Sequence, residues 1–421
     1  MRCATAHLST GGSRRAILLV ALDTAVLSTT IATLVRRFQS IRQPGETMRL
    51  ARPLNMIALV AVLVGHGILL VALLVGVHAA FSQSSTAVEP IQPEEVAPGV
   101  FVFPSHNATE EVVDGNSTFI IGSKAVLVVD APSMRLTRQH LAWLRRRTSL
   151  PVRYLVNTHF HLDHVSGNQI LADAFPGLSI LASEYTKRIG DRRLPALIAA
   201  AGRPGGTDST IERAKRLVAT GRDEEGKELA PFEAERIRRA VAYLTRELPD
   251  RKLRRYVGPT EIVGSERRID LGGRTVCVRN YPGHTLGDIV AIVEDAGVLI
   301  TGDLVVSPVP YGTGNTVFRQ WSASLRALEA LPRINTIVPG HGGVMRSWDY
   351  VRLEREAIDS LTAQVNAAVR EGLTFEETKA RVNMSRFRDL FAGSDPDRRL
   401  AFDNYFLGIR RAFDEASGLV D

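Results

Sequence analysis

The stretch NTHFHLDHVSGN, Asn157 to Asn168, places three histidines and an aspartate within six consecutive positions, in a chain with only ten histidines among 421 residues. It follows VRYLVN, whose Val, Tyr and Leu content predicts a β-strand ending near Asn157. The histidines therefore fall on a strand-end loop. His159 and His161 are two apart, and in extended backbone such residues point the same way, so both imidazoles can reach one point. Asp163 and His164 follow where the chain turns toward a helix over NQILADAF, and they can face a second point nearby. A pair plus a pair is half of a two-metal site. A first-row metal ion takes three or more protein ligands and a catalytic one keeps a position open, so the fold must bring further donors to this loop.

Three later strand ends offer them. His284 stands in YPGHTLGD after the strand-like RTVCVRN, Asp303 ends the apolar run in VLITGDLV, and His341 lies in TIVPGHGG. A glycine precedes each, letting the backbone bend sharply and come close to a bound group. Of the remaining histidines, His7, His66 and His78 belong to the N-terminal region; His106 and His140 carry no partner pattern and read as ordinary.

From Gly99 the chain alternates Val- and Ile-rich runs with helical ones, which predicts an α/β domain over residues 99–349 built on a mixed sheet or a sandwich with outer helices. Two regions break the alternation. Residues 183–256 read as a charged helical insertion, and residues 350–421 as a helical extension with a capping-box spacing at Thr374 and Glu377. The formal net charge is +7, and Lys187 to Arg255 holds 18 Lys and Arg against 11 Asp and Glu. These charges are interleaved and poor in aromatics, so they read as solvated helix faces, and nucleic acid is not expected as a partner. Cys3 and Cys277 imply no disulfide framework, and Cys277 reads as a small buried residue.

No charge occurs between Pro53 and Val88, and Met56 to Val77 is almost wholly apolar. As a helix it is roughly 33 Å long, enough for a bilayer core. Arg36, Arg37, Arg42, Arg49 and Arg52 precede it against one acid, Glu46. Positive flanks stay inside, so residues 1–54 are expected in the cytoplasm and residues 55–81 form a transmembrane helix. Alternatively, a start at Met48 followed by small residues at Val77 and Ala79 makes this a signal sequence. Both readings export the rest of the chain, with residues 82–98 as a linker.

The donor set resembles the metallo-beta-lactamase superfamily, from about Pro98 to Met345 without the 183–256 helices. The resemblance implies an αββα four-layer sandwich with its metals at one sheet edge. It implies that His159, His161 and His284 hold one zinc ion, that Asp163, His164 and His341 hold a second, and that Asp303 bridges them. Asp130 in VLVVDAP is implied to help fix the histidine loop, or else is a strand-end structural acid. Lactamases of this fold typically carry Cys or Ser where Asp303 stands; an acidic bridge is typical of glyoxalase-type thioesterases and other hydrolases. The expectation is an exported, membrane-anchored di-zinc hydrolase. Its metal-bound hydroxide would attack an ester, thioester, lactam or phosphoester bond of a small anionic or polarised substrate. Asp163 is the candidate proton acceptor. Tyr311 and Arg319, on the loop Ser307–Trp321, are the candidate substrate contacts. A beta-lactamase proper, a non-catalytic metal-binding scaffold and an iron-bound oxidoreductase are the alternatives, the last without any flavin-binding or rubredoxin-like segment to support it.

Overall fold

The Val- and Ile-rich runs pair into two sheets, and the alternation of their side chains sets the layering. The computed structural model describes residues 92–105, 114–406 and 408–419. The first sheet holds seven strands in chain order. These are β1 (Glu94–Ala97), β2 (Val100–Phe103), β3 (Ser117–Ile121), β4 (Val126–Val129), β5 (Val152–Val156), β6 (Ser179–Ser183) and β7 (Glu261–Val263). The first four pair antiparallel and the rest parallel. Parallel neighbours need crossovers, and helices supply them. α1 (Met134–Arg147) joins β4 to β5, and α2 (Leu162–Val165) with α3 (Asn168–Ala174) joins β5 to β6. Three helices, α4 (Glu184–Gly202), α5 (Thr207–Thr220) and α6 (Pro231–Leu253), join β6 to β7 and occupy the stretch expected as an insertion.

The second sheet runs in the order β12-β11-β10-β9-β8. It comprises β8 (Glu266–Asp270), β9 (Thr275–Asn280), β10 (Ile289–Val293), β11 (Val298–Val306) and β12 (Thr336–His341). α7 (Phe318–Glu329) carries the parallel crossover from β11 to β12. The C-terminal region is helical: α8 (Asp349–Arg370), α9 (Phe375–Arg381), α10 (Ser385–Ala392), α11 (Pro396–Ala401), a π-turn over Phe402–Phe406, and α12 (Ile409–Ala416). Thr374 and Glu377 close the expected capping box at the start of α9.

All four residues of β4 are buried, as a strand covered on both faces requires. Val126 and Val128 share a core with Leu141 and Leu144 of α1. Leu127 and Val129 share another with Val276, Val278, Ile289 and Ala291 of the second sheet. In β10, Val290 and Ile292 turn to a third core with Leu325 and Leu328 of α7 and Ile358 and Leu361 of α8. The period of two thus sorts each strand between an outer helical layer and the inter-sheet core, giving helix, sheet, sheet, helix. One boundary differs from expectation. Glu94–Ala97, placed in the linker by its polar and Pro-rich setting, is an edge strand, and edge strands tolerate such residues.

The apolar run Met56–Val77, the rest of the N-terminal region and His106 lie outside the described residues. Among the described residues no helix is long and apolar enough to cross a membrane. Cys277 is buried in β9.

His140 of α1 is buried and stacks on Phe103 with ring centroids 4.0 Å apart. Burial, aided by the charge of Arg135, pushes its pKa down to about 3. The unfolded chain therefore binds the proton more readily. The stability that neutral His140 contributes is present above the ordinary value of 6.5 and is lost as pH falls from there toward 3. His140→Phe removes this term. Urea unfolding at pH 7 and pH 4.5 should show the parent losing roughly 2–3 kcal/mol more than the variant. Equal losses would contradict neutral burial of His140.

Candidate metal centre

Parallel strands β4, β5 and β12 end at one edge of the sandwich, and the donor residues stand there or, like Asp303, in β11 beside it. The first donor set comprises His159, His161, His284 and Asp303, whose ligand atoms all lie within 4.8 Å of one another. His161 Nδ1 lies 2.9 Å from His159 Nε2 and 3.1 Å from His284 Nε2. Asp303 Oδ2 lies 3.7 Å from His159 Nε2 and 3.5 Å from His284 Nε2. Ligands around a tetrahedral zinc ion are separated by about 3.3 Å, and these four separations, from 2.9 to 3.7 Å, lie on either side of it.

The second set comprises Asp163, His164 and His341. His164 Nε2 and His341 Nε2 are 3.2 Å apart, and Asp163 Oδ2 lies 3.5 and 3.2 Å from them. The other oxygen of Asp303, Oδ1, faces this set at 3.2 Å from His164 and 3.5 Å from His341. Oδ1 is buried and, despite these distances, has no hydrogen-bond partner among the described residues. Its neighbours converge with it on a shared point, as ligands of one cation do. A first set of three imidazoles and a carboxylate oxygen, and a second of two imidazoles and two carboxylate oxygens, suit zinc.

The outer hydrogen bonds fix which ring nitrogen is offered. His284 Nδ1 donates to the Tyr311 carbonyl at 2.9 Å, leaving Nε2 for the site. Asp130 Oδ2 meets His164 Nδ1 at 2.9 Å and accepts from Thr158 Oγ1 at 2.7 Å, while Oδ1 accepts from the Thr158 N–H at 2.8 Å. Asp130 adopts φ 56, a left-handed conformation that Asp and Asn tolerate better than other side chains. Asp288, buried behind His284, accepts from both the N–H and the hydroxyl of Thr285 and closes that loop. Burial outweighs these bonds and pushes its pKa up to about 8. Two glycines are demanded by space: a Cβ on Gly340 would sit 2.0 Å from Asp303 Oδ1, and one on Gly302, at φ +54, would meet Thr158 at 2.6 Å.

Burial, then the neighbouring imidazoles, pushes His159 well below its usual range and His161 down to about 3. Burial also lowers His284, against the pull of Asp303. These rings are neutral nitrogen donors. In the second set burial also opposes charge, but Asp303 and Asp163 override it, holding His164 well above its usual value and His341 at about 9. Burial raises Asp163 and Asp303, and the imidazoles outweigh it, holding both acids well below the carboxylate range. The acids demand positive charge between them, which either protons or a cation supplies.

Both sets open onto a cavity of about 540 Å³. His161, Asp163, Asp303 and His341 line it together with Tyr311, Arg193, Arg251, Arg254 and the apolar Leu194, Leu197 and Ile198. The 183–256 helices therefore wall the site. Tyr311 reaches the cavity, and its backbone also orients His284. Arg319 is a correction: at the first turn of α7 its side chain is 79% exposed, it pairs with Glu415, and it lines a separate groove. Trp321, on the same loop-to-helix run, is fully buried with its Nε1–H on the Leu304 carbonyl. Sequence reasoning passed over Arg193, Arg251 and Arg254 because interleaved charge reads as a solvated face. Asp288 was visible in YPGHTLGD, four residues after the histidine.

Residues 111–341 match the family profile Lactamase_B, the metallo-beta-lactamase superfamily. The chain belongs to the metallo-beta-lactamase superfamily. A linear primary-alkylsulfatase of Pseudomonas sp. (strain ATCC 19151) is 23% identical over 272 residues, 62% of this chain and 48% of that protein. The chain thus spans about half the length of this curated relative. Among solved structures, the stereoselective inverting sec-alkylsulfatase Pisa1 from Pseudomonas sp. is similar with a TM-score of 0.53 and 16% identity, over 78% of this chain and 51% of that one. A metallo-beta-lactamase from Pontibacter korlensis aligns with a TM-score of 0.45 and 14% identity, over 64% of this chain and 98% of that one. The likeness to Pisa1 bears on the fold alone.

Asp130→Asn preserves the left-handed backbone but has one acceptor oxygen in place of two, so its NH2 must face either the Thr158 N–H or the Thr158 hydroxyl and His164 Nδ1. Zinc affinity, measured by chelator competition, should fall about 10- to 100-fold. Unchanged affinity would show that Asp130 does not orient His164.

Proposed function

We propose that this superfamily member is a di-zinc hydrolase of small molecules. The observation that carries the reading is the division of Asp303: one oxygen serves each donor set, and both sets open onto one cavity. His159, His161 and His284 would hold one ion, Asp163, His164 and His341 the other. Bound there, two divalent cations supply Lewis acidity toward the scissile group and bring water within reach of deprotonation at neutral pH.

The chain's own groups do the rest. Asp163 is 24% exposed toward the cavity, against 4% for Asp303, and is the acid placed to take a proton from the attacking oxygen. Tyr311 and Asn315 line the opening, while Leu194, Leu197 and Ile198 exclude water from an apolar portion of the substrate. The bond is an ester, thioester, lactam or phosphoester, or a sulfate ester, which the likeness to an alkylsulfatase favours. A lactam is less favoured because Asp303 stands where lactamases of the fold typically carry Cys or Ser. The long uncharged run and the arginines before it support an exported domain on a membrane anchor or behind a cleaved signal.

The zinc-loaded full chain should turn over at least one substrate in a panel of lactam, lactone, thioester, alkyl sulfate and phosphodiester, and Asp303→Asn should abolish that turnover. Intact spheroplasts should process a charged, impermeant substrate of the same class. No turnover across the panel would overturn the hydrolase reading; turnover only after lysis would overturn the exported location.

A further inference from the structure

The cavity holds a cationic feature that water-activating chemistry does not use. Arg251 and Arg254 are three apart at the C-terminal end of α6, so they share a face, and both line the cavity. The Nε atom of each is buried without a hydrogen-bond partner, and neither residue is in an ion pair among the described residues. The nearby acids make their hydrogen bonds to other groups, although Glu247 Oε2 is buried without a hydrogen-bond partner among the described residues. Glu247 pairs with Arg135 at 2.5 Å, and Asp114 accepts from the Ser133 N–H at 2.8 Å and the Tyr243 hydroxyl at 3.0 Å. Burial, then the charge of Arg251, lowers the pKa of Arg254. A helix C-terminus tolerates such a pair, since its carbonyl ends favour cations. It does not satisfy two guanidinium forks, whose geometry matches an oxyanion in bidentate fashion.

Another part of the cavity lining is apolar. Leu194 and Ile198 of α4 pack with Val165 and Leu162 of α2 and present the cavity with an oily face that includes Leu197, 52% exposed. We propose that Arg251 and Arg254 form an oxyanion-recognition subsite, which selects amphipathic substrates carrying a carboxylate or sulfate, with the apolar arm laid along Leu194, Leu197 and Ile198. This rests on the hydrolase reading for the word substrate, and on the cavity alone for binding.

The test is calorimetric titration of the full chain with octanoate, octyl sulfate and octanol, in zinc-loaded and chelator-treated states. The two anions should bind and octanol should bind weakly. Arg251→Gln and Arg254→Gln should each weaken anion binding about tenfold or more while leaving octanol and zinc content unchanged. Arg254→Lys, which keeps charge without the fork, should lie between. Whichever anion binds tighter names the head group. Equal binding by parent and Gln variants, or equal loss for octanol, would overturn the subsite. Turnover of neutral 4-nitrophenyl acetate separates the two claims: anion binding lost with turnover retained marks the arginines alone, whereas no turnover in any form with anion binding intact removes only the hydrolase reading.

Discussion

A buried carboxylate shared between two clusters of imidazoles is the constraint on which the rest of this structure depends. Asp303 is 4% exposed and ionised, and it sits beside Asp163 and Asp130 at the same sheet edge. Burying one such charge costs several kcal/mol unless opposite charge and hydrogen bonds meet it. Asp303 is therefore tenable only with positive charge beside it. His164 and His341 carry that charge as protons, and metal ions can carry it instead. The same reciprocity makes the centre a metal trap: whatever displaces those protons inherits a preformed ring of donors.

The sandwich holds these groups still. β11 is buried along its whole length, so Asp303 has no freedom to swing, and Gly340 on β12 leaves just enough room for its carboxylate. From the other side of the second sheet, Tyr350 of α8 donates to the Val306 carbonyl at 2.6 Å. Glu354, one turn on, is fully buried; burial, with Asp303 adding, keeps it far above the carboxylate range and therefore neutral. The C-terminal helices thus complete the layer that backs the strand carrying Asp303.

What the sequence showed and hid follows from the range of each interaction. Strands were legible because both faces are buried, leaving uninterrupted Val and Ile runs such as VLVV and IVAIV. The donors were legible because metal chemistry demands rare residues at strand ends, and histidine is scarce enough to stand out. Glu94–Ala97 was hidden because an edge strand needs apolar side chains least. Arg319 misled because proximity along the chain to Asp303 is not proximity in space: the helix it opens turns its side chain outward. Arg251 and Arg254 were hidden for the converse reason. They lie about 50 residues before Asp303 in sequence, on helices whose interleaved charges look solvated until the fold lays them over the donor edge.

Anomalous diffraction at the zinc edge, on crystals of the zinc-loaded chain, reaches the centre of this account most directly. Two peaks about 3.5–4 Å apart, one on each side of the Asp303 carboxylate, are the predicted result. A single peak, or two peaks of which neither contacts Asp303, would contradict it.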